Sequence, residues 1–219
     1  MINLALKDRF RGFYPVVVDV ETGGFNAQTD ALLEIAAVTT CYNAQGQLEL
    51  HKSYHFNIEP FAGANIEQRA LEFTGIDPDN PLRNAVNEKD ALKDIFKGLR
   101  AEQKEAGCNR CVLVGHNAWF DQSFLNAAVE RTNIKRSPFH PFTSFDTASL
   151  SALMLGHTVL AQACKRADIE FSQKEAHSAL YDATKTAELF CHLVNRANHA
   201  QASAPFVEEL TRTIELNKD

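Results

Sequence analysis

Tyr14-Pro-Val-Val-Val-Asp-Val-Glu21 reads as the first strand of the chain. The run is rich in β-branched residues and ends in two acids, which reads as a buried strand that opens onto something polar. Asp19 and Glu21 are two apart, so both side chains leave the same face of that strand. Two carboxylates side by side on a buried strand repel one another and resist desolvation unless a cation neutralises them. Gly23-Gly24 breaks the run. Beyond it, strands are expected around Leu32 to Tyr42 and Leu48 to Ile58, separated by Asn43-Ala-Gln-Gly46, a loop of hairpin character. Three strands with short links make an antiparallel meander.

Further along, a helix is expected from Asn65 to Phe73, stopping at Thr74-Gly75, with Pro78 and Pro81 marking a loop. Ala85, Leu92, Ile95, Phe96 and Leu99 fall at helical spacing within Asn84 to Ala106. Cys111-Val-Leu-Val-Gly-His116 fits a buried parallel strand. A helix from Ala118 to Arg131, a short strand from Thr143 to Thr147, and helices at Ala148–Leu155, Val159–Ala167 and His177–Arg196 complete the pattern, with a weaker helix near the C-terminus. The whole is an α/β chain with a mixed sheet of five strands and helices on both faces. A single domain over residues 1–219 is expected, its core at about 14–196 and a C-terminal tail at about 204–219.

The composition of the 219 residues, 45% hydrophobic and 23% charged, excludes disorder, collagen and coiled coil. No apolar run approaches the roughly 18 residues that span a membrane. Met1-Ile-Asn-Leu-Ala-Leu-Lys-Asp-Arg-Phe does not read as a secretory leader, so a cytoplasmic protein with no membrane association is expected. Cys41, Cys108, Cys111, Cys164 and Cys191 are scattered; the CxxC at Cys108 stands alone and reads as reduced thiols rather than a zinc site. A net charge of -6 means that nucleic acid could be bound only through a local patch. Phenylalanine is over-represented, 15 against 4 Tyr and 1 Trp.

Two further motifs join the acids of the first strand. His116-Asn-Ala-Trp-Phe-Asp121 follows the fourth strand and places Asp121 in the first turn of a helix. His177-Ser-Ala-Leu-Tyr-Asp182 comes later; on a helix its ends would stand about 140° apart, both able to border a cleft at the N-terminal end. Four carboxylates and a histidine thus come from three elements that can meet at one sheet edge. Asp19-x-Glu21, His116-Asn-x-x-Phe-Asp121 and His177-x-Ala-x-x-Asp182 resemble, in this order, the three motifs of the DEDDh exonuclease superfamily, whose fold is ribonuclease H-like. The likeness runs through the flanking segments Gly75-Ile-Asp-Pro, Pro138-Phe-His-Pro-Phe and Phe145-Asp-Thr, and covers nearly the whole chain.

The resemblance implies a magnesium-dependent 3′→5′ exoribonuclease that trims unpaired 3′ nucleotides of tRNA and other structured RNAs and also degrades single-stranded DNA. Two Mg²⁺ (or Mn²⁺) would be held by Asp19, Glu21, Asp121 and Asp182, with Asp19 bridging, and His177 would take the proton from the attacking water. His116 reads as a structural hydrogen-bonder; Asn117 and Asp146 are candidates for supporting the carboxylates, and Asp146 equally for capping the next helix. Phe25, Phe73, Phe120 and Phe142 lie beside the motifs, and in the resembled family the matching rings sandwich the terminal bases. Phe13, Phe96, Phe124 and Phe190 are assigned to the core. That family also carries a Glu four residues before Phe73, tied to its reluctance to remove a 3′ cytosine; this chain departs from the pattern at that position with Arg69, and Glu67 and Glu72 are the nearest acids. Arg9, Arg11, Lys104, Arg110 and Lys135, with Arg136, could form a basic patch, which in the resembled family faces the active site of a second subunit; a homodimer is implied. The alternatives are a DNA proofreading or repair exonuclease with the same catalytic residues, and a catalytically inactive nucleic-acid-binding module.

Overall fold

Phe13–Thr22 (β1) occupies the middle of the sheet because its valines, Val16, Val17, Val18 and Val20, can be buried on both faces. Leu32–Tyr42 (β2) and Leu48–Asn57 (β3) follow as antiparallel strands, and Arg110–Gly115 (β4) and Phe139–Asp146 (β5) pair in parallel on the other side. The order is β3-β2-β1-β4-β5, a three-stranded antiparallel meander extended by two parallel strands, as expected. The computed structural model describes residues 5–203; the tail and weak helix expected at about 204–219 lie outside them.

β5 starts earlier than its sequence suggests. Cys111 pairs with Phe139 while Leu113 pairs with Ser144, so five steps of β5 face two steps of β4. Pro141 has no N–H to give to a ladder, and the strand bulges around it.

Among the described residues six α-helices flank the sheet: Gln68–Thr74 (α1), Glu88–Glu105 (α2), Trp119–Arg131 (α3), Thr147–Leu155 (α4), Leu160–Arg166 (α5) and Ala179–Ser203 (α6). α1 begins later than expected because Asn65 is already engaged, its N–H donating to Thr29 O (2.8 Å) and its carbonyl accepting from Ala31 N–H (3.0 Å). α2 begins at Glu88, not Asn84, because the Asn87 side chain accepts from Asp90 N–H at 3.0 Å and caps it there. Its buried face holds Leu92, Ile95, Phe96 and Leu99 of the expected stripe, joined by Ala91, whereas Ala85 falls before the helix and is only half-buried. α6 presents Ala179, Ala183, Ala187, Phe190 and Val194 at spacings of three and four, all buried; the small residues let it lie close on β1, β2 and β3.

Side-chain alternation on β1 assigns the two faces. Tyr14 donates its hydroxyl to Glu102 of α2 (3.2 Å), whereas Asp19 and Glu21, at odd positions, meet Asp182 of α6. Phe13, Phe96, Phe124 and Phe190 are buried, as expected. A smaller cluster of Ala163, Cys164 and Ala167 with Leu189 and Leu193 fastens α5 to α6. Among the described residues no helix is long and apolar enough to cross a membrane.

Candidate active site

The acids of β1 end where α6 begins. Carboxylate oxygens of Asp19, Glu21 and Asp182 all lie within 4.8 Å of one another. Burial first, then the neighbouring carboxylates of Asp121, Glu21, Asp182 and Glu34, push the Asp19 carboxyl well above the usual range. Glu21 is pushed up to about 8, again by burial first and then by Asp182, Glu34 and Asp121. Asp182 moves up through burial, although the His177 N–H bonded to it pulls the other way. One Asp182 oxygen accepts from that N–H at 2.9 Å; the other, Oδ1, is buried with no hydrogen-bond partner among the described residues. A set of hard oxygen donors that repel each other, one of them orphaned, fits a divalent cation.

Asp121 stands beside this group on α3. It is buried, its Oδ1 accepts from Val20 N–H (3.1 Å), and burial is the main cause raising its carboxyl, with Asp146 adding to it. The turn from β4 into α3 makes this approach possible. A Cβ at Gly115 would lie 3.0 Å from Asp121 Oδ2 and 3.0 Å from Ala118 Cα, so a side chain there would crowd the carboxylate. Asn117 then reverses the chain with a left-handed backbone (φ 68), and its N–H donates to Asp146 Oδ1 at 3.3 Å. That same oxygen caps α4 through Ala148 N–H (2.8 Å), so Asp146 both caps a helix and holds the Asn117 turn. His116 is tied by Nε2 to Thr158 O (2.6 Å) and by Nδ1 to Thr147 Oγ1 (2.9 Å), the structural role expected of it.

His177 departs from its expected place. It precedes α6 by two residues in a left-handed conformation (φ 71), so it is not on the helix with Asp182. Its N–H closes back onto the Asp182 carboxylate, and its exposed ring lies against Phe73, centroids 4.1 Å apart. A loop residue carries the imidazole, and the helix carries the carboxylate.

One acid escaped the sequence reading. Glu34, buried in β2, pairs directly opposite Glu21. His55 Nε2 lies 2.6 Å from its Oε1, and Ser178 Oγ donates to the same oxygen at 3.4 Å. The signal was a lone acid inside the apolar run Ala31-Leu-Leu-Glu-Ile-Ala-Ala-Val; only the β1–β2 register shows what it faces.

Three of the four chosen phenylalanines are exposed: Phe25 by 73%, Phe73 by 65% and Phe142 by 81%. Phe120 is half-buried and meets Phe25 edge-on at 6.1 Å. The Phe25 loop is held by Asp30, which accepts from Asn26 N–H (2.9 Å) and the Asn65 amide (3.0 Å); a Cβ on Gly24 would strike its Oδ2. Phe142 projects from the β5 bulge, and its ring contact is with His140 (4.5 Å) rather than with the other three. Arg69 is exposed on α1 and paired with Glu67 at 2.5 Å.

The basic residues gather at the other end of the sheet. Arg9 and Arg11 precede β1, Arg110 opens β4 opposite Phe13, Lys104 ends α2, and Lys135 and Arg136 lie between α3 and β5. Six to eight residue steps of β1 lie between Phe13 and the two acids, roughly 20–25 Å of strand. Arg100, not singled out from the sequence, joins them by donating to Arg136 O. Cys108 and Cys111 are buried, their thiols pushed up to about 11 and about 12 by burial, which suits inert reduced thiols.

The β3-β2-β1-β4-β5 sheet brings carboxylates together at the end of its central strand with a histidine beside them, a donor set that fits divalent metal, and likeness to known proteins defines the class as an exonuclease. The nuclease domain of 3′hExo, a DEDDh family member, bound to rAMP, superposes with a TM-score of 0.61 at 16% identity, over 85% of this chain and 92% of that one. E. coli exonuclease I in complex with a dT13 oligonucleotide gives 0.65 at 17%, over 87% and 43%. A family model described as Exonuclease (RNase_T) matches residues 16–190. Ribonuclease T of Shewanella denitrificans is 63% identical over 191 residues, 87% of this chain and 84% of that protein. That of Yersinia enterocolitica is 63% identical over 192 residues, 88% and 89% of the two. The chain belongs to the ribonuclease T family of exonucleases.

Proposed function

We propose that this single-domain protein is a 3′→5′ exoribonuclease that removes unpaired nucleotides from the 3′ ends of tRNA and other structured RNAs, releasing nucleoside 5′-monophosphates, and that it also degrades single-stranded DNA. The observation that carries the reading is the convergence of Asp19, Glu21 and Asp182 within 4.8 Å, with Asp121 alongside and exposed aromatic rings at its rim. Asp19, Glu21, Asp121 and Asp182 would hold two Mg²⁺, or Mn²⁺ in their place. Bound there, such ions lower the pKa of water and neutralise charge on phosphate oxygens.

The remaining work falls to the protein. His177 would accept a proton from the nucleophilic water; its N–H bond to Asp182 and its exposed ring support this role. Phe73 packs on that imidazole and limits its orientations. Phe25 and Phe120 offer ring faces to the terminal bases, with Phe73 and Phe142 as further stacking positions. Asn117 and Asp146 hold the turn that delivers Asp121. A paired duplex cannot splay its bases onto these rings, so trimming stops near the double helix.

The protein acts as a homodimer in this reading. Arg9, Arg11, Lys104, Arg110 and Lys135 would hold RNA for a second copy; their place at the sheet end remote from their own carboxylates supports this. The five free thiols suit a cytoplasmic setting.

A gel time course on 5′-labelled and 3′-labelled tRNA, with magnesium or EDTA and with the Asp19→Ala protein alongside, tests this. The expected result is loss of the 3′ label as mononucleotide, a 5′-labelled product ending near the acceptor duplex, and no reaction in EDTA or with Asp19→Ala. Survival of RNA while single-stranded DNA is consumed would replace it with a DNA exonuclease, and binding without cleavage of either with an inactive module.

A further inference from the structure

The sole tryptophan of the chain, Trp119, stands 66% exposed at the first residue of α3, two positions before Asp121. A tryptophan left this open forgoes the largest hydrophobic gain of any side chain, and no core residue requires it there. Its neighbours connect it to the site. Its ring meets Phe120 edge-on (5.7 Å, 84°), and Phe120 meets Phe25 edge-on (6.1 Å, 64°). Three rings are therefore in contact from Phe25 through Phe120 to Trp119, and on α3 the indole stands about 200° around the axis from Asp121, so the row leads away from that carboxylate. In edge-on pairs one ring's rim meets the other's face, so stacking surface is left over along the row.

We infer that Trp119 is an additional base-stacking position for single-stranded nucleic acid, continuing the Phe25–Phe120 surface away from the carboxylates to take an unpaired base upstream of the 3′ terminus. The occupant follows from chemistry and continuity. A flat, exposed indole adjoining rings at a phosphodiesterase site matches a nucleobase, which every unpaired nucleotide presents irrespective of sequence. The position sits at the helix start rather than on a loop, so the backbone beneath the indole is fixed by the same turn that fixes Asp121. This inference rests on the exonuclease reading and adds to it a contact that lengthens the single-stranded segment the protein grips.

Because the protein has one tryptophan, its emission reports on this position directly. Titration of the wild-type protein in EDTA with a fluorescein-labelled single-stranded RNA of six nucleotides would follow binding by anisotropy; an unlabelled copy would be used to follow tryptophan emission and its quenching by acrylamide. The expected result is a fall in emission and in acrylamide access along the same isotherm as the anisotropy. With magnesium present, Trp119→Ala should raise KM on that RNA about five- to thirtyfold, the lower range for loss of one stacked base, with a smaller effect on kcat, and Trp119→Phe should recover part of the loss. Cleavage and binding at normal strength with emission and acrylamide access unchanged, and with an unchanged KM in Trp119→Ala, would overturn the inference and leave the exonuclease reading intact. Neither binding nor cleavage by the wild-type protein would overturn both.

Discussion

Glu21 shows what the site demands of a single residue. Its carboxyl is pushed up to about 8 by burial and then by Asp182, Glu34 and Asp121, against an ordinary 4.5. The metal-free native protein therefore keeps a proton that the unfolded chain has already released. Stability from this group is complete below about pH 4.5 and is lost as pH rises towards 8. In EDTA the melting temperature should fall between about pH 5 and about pH 8, and magnesium should raise it more at the higher pH, where the cation need displace fewer protons. Glu21→Gln, having no proton to lose, should flatten much of this slope. A melting temperature in EDTA that does not change over this range would contradict the reading. Asp19 is raised in the same direction by the same crowding, so the two acids act together.

At the scale of elements, the loop that carries Phe25 depends on a junction between two helices. Arg131, in the last turn of α3, forks onto Glu88 at the start of α2 (2.7 and 3.2 Å), donates to Ala27 O at 2.9 Å and lies over the Phe61 ring at 4.1 Å. Glu88 is buried, so removing its partner strands a carboxylate. Arg131→Ala should cost about 3 kcal/mol of stability, measured by urea denaturation. It should also raise KM for RNA, because the Ala27 carbonyl that anchors the Phe25 loop loses its donor; a stable variant with unaltered KM would separate the junction from substrate binding. Helix boundaries at such junctions were only partly legible from sequence. Periodicity located the apolar stripe of α2, but its first residue was set by the Asn87 cap, and α6 starts after His177 because that residue takes a left-handed turn.

For the whole molecule, the separation of charge from chemistry is the governing feature. The site carboxylates Asp19, Glu21, Asp121 and Asp182 occupy one end of the sheet and Arg9, Arg11, Lys104, Arg110 and Lys135 the other, in a chain of net charge -6. A patch that serves a second copy predicts complementation. Asp19→Asn and the double variant Arg11→Ala, Lys135→Ala should each be weak alone, the second through poorer RNA binding with a shallower salt dependence. After the two proteins are mixed and allowed to exchange subunits, activity should return, because the hybrid unites intact carboxylates with an intact patch. Sedimentation as a monomer, or mixing without recovery, would confine each site to its own chain.

The acids of β1 and the two histidine-aspartate motifs are legible from sequence because their geometry is local: strand alternation puts Asp19 and Glu21 on one face, and a short turn after β4 delivers Asp121. The meander and the parallel pair follow from the same strand patterns and link lengths. Pairings between residues far apart in the chain emerge only on folding. Glu34 meets Glu21 through the β1–β2 register, and the basic residues fall at the far end because parallel strands start together. The exposure of Trp119 depends on which side of α3 the sheet covers, where Phe124, Leu125, Ala127 and Ala128 are buried and the indole is not. Register and packing are set by the sum of many contacts, and no short stretch of sequence contains that sum.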